Sequence, residues 1–109
     1  MIEPEYLEEF KIAYPNATVI SEGGFEFIYI PKLTLPEGNV PAVVEALLCP
    51  QMRDGYMTRL FFSTPFPNKG ANWTEHQILG KKWHSWSWQN VQANRRLTQI
   101  LLGHLAVFR

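Results

Sequence analysis

The chain has 109 residues, 46% of them apolar and 18% charged, and its ten acids balance its ten bases. A domain of that size buries roughly 60–70% of its unfolded surface and can fold without disulfides or metal. Cys49 is the sole cysteine, which excludes an internal disulfide and fits a reducing compartment.

The first segment, EPEYLEEFKIAY, spaces Tyr6, Leu7, Phe10 and Tyr14 three and four residues apart. That spacing predicts an amphipathic helix, with acids at its positive N-terminal end and Pro15 closing it. ATVISEGGFEFIYI then reads as two strands joined at Gly23-Gly24, where positive φ is free of steric cost. AVVEALLCP (42–50) is a third strand candidate, although Ala and Leu leave helix open. TRLFFST (58–64) is the fourth. Residues 65–89 read as one long irregular stretch, and NVQANRRLTQILLGHLAVF as a closing helix with Leu97, Ile100, Leu101, Leu105 and Phe108 on one face.

This order predicts a single α+β domain over residues 1–109, a four-stranded antiparallel meander flanked by N- and C-terminal helices. No apolar run approaches the ~18 residues that a membrane span needs. The opening MIEPEYLEEF is too acidic for a secretory signal, so a cytoplasmic location is expected. The sequons Asn16-Ala-Thr18 and Asn72-Trp-Thr74 then read as chance matches.

The zero net charge conceals an asymmetry. Residues 1–54 hold nine acids and three bases, whereas residues 55–109 hold seven bases and one acid, Glu75. Either folding pairs the halves or the second half offers a basic face to an acidic partner. The bases are too scattered to favour nucleic acid.

Loops longer than ~12–15 residues in a compact domain are usually functional or disordered. The tryptophans Trp73, Trp83, Trp86 and Trp88 argue against disorder, which directs attention to residues 65–90. Trp83, Trp86 and Trp88 cannot share one face of a regular element. Trp83 and Trp86 are expected to pin the loop to the sheet and last helix, leaving Trp88 outward. Stacking on sugars or bases, with Lys81 and Lys82 on phosphates, is the competing use. The histidines, spaced His76-x7-His84-x19-His104, lack the close pairing of a zinc site, so no metal or cofactor is expected.

Several short motifs coincide with this order: Gly80…Trp83-x-x-Trp86-Ser87, Gly103-His104-Leu105-Ala106, the Tyr6-Leu7 helix, the Gly23-Gly24 hairpin and Leu35-Pro36-x-Gly38. Together they resemble the prokaryotic ubiquitin-conjugating-enzyme-like family E. The resemblance implies a conjugating-enzyme fold with its working loop after strand four. It also implies partners, a ubiquitin-like modifier and an activating-enzyme-like protein. The loop departs from the usual pattern, because it has no cysteine and Phe66-Pro67-Asn68 stands where His-Pro-Asn would be. Cys49 reads as a buried small hydrophobe rather than a nucleophile.

On this resemblance, Ser87 is the candidate acyl carrier, as a serine oxyester. A serine hydroxyl needs a base, supplied by His84 or His76, and an oxyanion donor, supplied by Asn68 or Asn90. The other reading of Ser87 is a backbone or helix-capping hydroxyl. A noncatalytic adaptor that binds the modifier or the activating enzyme is the second functional reading, and a Trp-lined carbohydrate or nucleic-acid module the third.

Overall fold

The computed structural model describes residues 2–39, 41–51, 56–66, 73–86, 91–93 and 95–106. The element order is α1 (Pro4–Ala13), β1 (Thr18–Glu22), β2 (Phe25–Thr34), β3 (Val43–Cys49), β4 (Arg59–Phe62), β5 (Trp73–Ile78), β6 (Lys81–Trp86) and α2 (Leu97–Leu105). Helix α1 begins with proline at its first turn, where the missing N–H would lack a helical partner anyway. It ends as the Tyr14 N–H bonds the Phe10 carbonyl, with the Phe10 and Tyr14 rings stacked 4.8 Å apart.

All strands join one antiparallel sheet in the order β1-β2-β3-β4-β6-β5. The first four strands form the expected meander. Among the described residues the sheet nevertheless has six strands rather than four, because residues 73–86 are a hairpin and not an irregular stretch. Two features concealed it. Strand β5 is a polar edge, TEHQ, without apolar alternation, and its turn is Leu79-Gly80 rather than Asn-Gly or Asp-Gly. Leu79 and Gly80 have φ of 57° and 71°, and Gly23 and Gly24 have 61° and 84°. Two consecutive positive φ values suit the right-handed twist of a two-residue hairpin, but a leucine there carries steric strain.

Strands β2, β3 and β4 are apolar on both faces. On one face Ile28, Ile30, Val44, Ala46, Leu48, Leu60 and Phe62 pack under both helices, against Phe10, Leu97, Ile100, Leu101 and Leu105. The closing helix is thus shorter than expected, and its predicted face is buried as far as Leu105; Phe108 lies outside the described residues. Gly103 allows close approach of the chain before α2, since a Cβ there would lie 3.1 Å from Val91 Cγ1.

On the other face Phe27, Leu47, Cys49 and Phe61 are covered by Ile78 and Trp83 of the hairpin. Among the described residues β6 pairs with β4 only at Phe61–Ser85 and Phe62–His84. Beyond that point the hairpin leaves the ladder and curls across the second face. Its tip reaches β1, where the Leu79 N–H donates to the Glu22 carboxylate at 2.6 Å.

Trp83 is therefore core, 2% exposed, with its indole N–H donating to the Ile78 carbonyl at 3.1 Å. Trp83→Ala should destabilise the protein by about 3–5 kcal/mol in denaturant titration, a large share of a small domain's stability. Leu102→Ala, at a half-exposed site on α2, should stay within about 0.5 kcal/mol of the parent.

Candidate functional site

The hairpin distributes the sequence-derived candidates between two faces. Cross-strand pairing sets Trp73 opposite Trp86, Thr74 opposite Ser85, Glu75 opposite His84 and His76 opposite Trp83. Partners in an antiparallel pair project to the same side. Trp73, Glu75, His84 and Trp86 thus share the helix-covered side, while Thr74, His76, Trp83 and Ser85 share the curled side. His76 and His84 lie on opposite faces, so any one hydroxyl can use only one of them. Ser87, Asn68, Asn90 and Trp88 lie outside the described residues.

Trp83 and Trp86 do not act as a pair. Trp83 anchors the hairpin on the face away from the helices. Trp86 meets Trp73 edge-on at 5.4 Å, and Trp73 in turn packs near Phe62 and Phe66, 6.0 and 5.9 Å between ring centroids. Of the expectation that both would pin the segment to the sheet and last helix, Trp83 meets the sheet part, and strand alternation, which sends residues three apart to opposite sides, keeps the two rings from acting together. The Trp73 indole N–H is buried without a hydrogen-bond partner among the described residues.

Lys81 crosses the Trp83 ring, with Nζ 4.9 Å from its centroid, and pairs with Glu45. The Tyr29 hydroxyl donates to the other oxygen of that carboxylate. The bonds from Lys81 and then Tyr29 hold the Glu45 carboxyl below its ordinary range, and the bond to Glu45 pushes the Tyr29 phenol up. Lys82 lies 3.7 Å from Glu75, both well exposed.

The curled side also holds a constellation that sequence reasoning missed, built around Arg59. This arginine is 4% exposed. Its Cζ lies 4.3 Å from the Tyr56 ring centroid and 5.4 Å from that of Phe61, distances at which a ring face attracts a cation. Its Nε donates to Ser85 Oγ at 3.3 Å and Nη2 to Thr74 Oγ1 at 3.5 Å. Thr74 Oγ1 lies 2.8 Å from His76 Nε2. The Ser85 hydroxyl spends its proton on the Leu60 carbonyl at 3.0 Å. Buried and bonded in this way, Ser85 is a structural hydroxyl rather than a nucleophile. Reading residues 81–86 with period two would have placed Trp83 and Ser85 together; nothing local marks Arg59 or Thr74 as their neighbours.

The third histidine, His104, is buried under α2. The Thr58 hydroxyl gives its one proton to the Val91 carbonyl at 2.8 Å, so its oxygen accepts from His104 Nε2, also at 2.8 Å. Burial, and then the Arg59 charge, lower the His104 pKa from 6.5 to about 4. Among the described residues no three metal-ligating side chains converge. Cys49 is fully buried, its Sγ 3.5 Å from the Gln51 carbonyl, as expected of a small core hydrophobe.

The site defines an α+β protein whose outer hairpin carries two histidines on opposite faces. Comparison with protein-family models, with curated proteins and with solved structures finds no match.

The lowered His104 pKa has a sign. Unfolded His104 takes up a proton near 6.5 and folded His104 only near 4, so the unfolded state binds more protons in between and stability falls as pH falls. Chemical denaturation from pH 7 to 4 should show a loss of about 3 kcal/mol from this group. His104→Gln, which keeps an amide N–H near the Nε2 position, should flatten the slope between pH 6.5 and 4.5.

Proposed function

We propose that this chain is a conjugating-enzyme-like domain of a bacterial ubiquitin-like modification pathway, carrying or positioning a modifier received from an activating enzyme. The observation that carries the reading is the β1–β4 meander with both helices packed on one face. The segment after β4 bears Trp83, Trp86, His76 and His84, where the resembled family keeps its working loop. The buried position of Cys49 is consistent with a carrier other than thiol.

On this reading Ser87 Oγ attacks the modifier's C-terminal carbonyl, held as a thioester on the activating enzyme. The C–S bond breaks as the C–O bond forms. The serine proton passes to a histidine, His84 or His76, and on to the departing thiolate. The product is an oxyester, less reactive toward amines than the thioester it replaces.

One observation favours the second reading, a noncatalytic adaptor for the modifier or the activating enzyme. The serine hydroxyl and the thiol described beside the hairpin, those of Ser85 and Cys49, are both buried. The stacking-module reading draws less support, because Trp83 is core and Trp73 and Trp86 are spent on each other. No helix among the described residues is long and apolar enough to cross a membrane.

Incubation with ATP and the modifier and activating enzyme encoded beside it should yield a covalent adduct on a denaturing gel. The adduct should resist thiols, yield to hydroxylamine and vanish in Ser87→Ala. Stable complex formation without an adduct would replace the carrier with the adaptor. Binding to neither protein would remove both.

A further inference from the structure

We propose that the outer half of the β5–β6 hairpin is a lid that opens from the second face of the sheet while its base and the helix-covered face stay folded. The inference stands on the hairpin's attachment and is independent of the conjugation reading.

The hairpin is strongly built internally but unevenly joined to the rest. Its two strands pair continuously from Trp73–Trp86 to Ile78–Lys81. Its ladder to the sheet, among the described residues, is confined to Ser85 and His84 opposite Phe61 and Phe62. Beside that ladder the base is fastened by Arg59 to Ser85 and Thr74, and by Ser85 to the Leu60 carbonyl.

Beyond His84 the character of the attachment changes. The outer half rests on side chains: Ile78, Leu79 and Trp83 against Phe27, Leu47, Cys49 and Phe61. Among the described residues its polar ties include the Leu79 N–H to Glu22 and Lys81 to Glu45, with Tyr29 bracing the second carboxylate. Both ties end on carboxylates at a partly exposed rim. Leu79, at the tip, holds a positive φ that leucine rarely adopts. The outer half is thus held by its own apolar cluster and rim ties, separate from the helix-covered core, and contiguous units of that kind can open below the global unfolding free energy. The hinge falls where β6 leaves β4, between Trp83 and His84.

Cys49 reports the motion directly. It is the chain's sole cysteine, fully buried in the apolar cluster that the lid completes. The experiment is native-state labelling of Cys49 by excess aromatic disulfide reagent, at denaturant concentrations below the unfolding transition. Lid opening predicts a labelling rate that rises with denaturant less steeply than global unfolding does, because only the second face is exposed. Glu22→Ala should raise it about tenfold, as expected for losing a charge-assisted bond, and Lys81→Met about threefold, as expected for a rim ion pair. Ile100→Val, which thins only the helix-covered core, should leave it unchanged. Labelling that Ile100→Val accelerates in proportion to lost global stability would overturn the lid, because Cys49 would then be reached by global unfolding. Labelling that ignores both tie variants would overturn it too, since another local opening would be responsible.

Discussion

Everything in this structure follows from a sheet that is apolar on both faces. Phe25, Phe27, Leu47, Cys49 and Phe61 project to one side, and Ile28, Ile30, Ala46, Leu48, Leu60 and Phe62 to the other. An antiparallel sheet with one wet face would show polar alternation; β4 has all four residues buried. Two helices of ten and nine residues cover one face. The second face must be covered by something else, and the hairpin after β4 is what curls over to do it. The position of Trp83, the burial of Cys49 and the departure of β6 from β4 are consequences of that single requirement.

Electrostatics follow the same geometry. The acidic first half and basic second half meet across the fold, in Glu9–Arg96 and Glu45–Lys81. Exposed pairs of this kind contribute little energy individually; the first ties the two helices together and the second ties the hairpin to β3. The buried charge is organised differently. Arg59 is surrounded by rings and hydroxyls, and it lies close enough to His104 to help hold that imidazole neutral. Thr58, just before β4, and Arg59, its first residue, thereby connect the polar groups of the two faces.

For function, the hairpin is both cover and carrier of candidates. Its twofold alternation separates His76 from His84 and commits each to different surroundings, His76 to Thr74 and the edge of Phe61, His84 to the side of Trp86. Motion of the outer half would carry His76 and Trp83 together and leave the Ser85 base in place.

Local patterns were enough to reveal the α+β class, helix α1, the Gly23-Gly24 hairpin, strands β1 to β4 and the apolar face of α2, because each is encoded by spacing within about ten residues. The sole cysteine's apolar context likewise foretold its burial. The β5–β6 hairpin was illegible because an edge strand needs no apolar alternation, and because Leu79 occupies a turn position that normally announces itself with glycine or asparagine. Arg59, Thr74, Ser85 and His76 come together only in three dimensions, from strands far apart in sequence. Side-chain periodicity is a local property, readable residue by residue. The choice of which element covers a second apolar face is made by the whole chain at once, since only the folded sheet creates the surface that has to be buried.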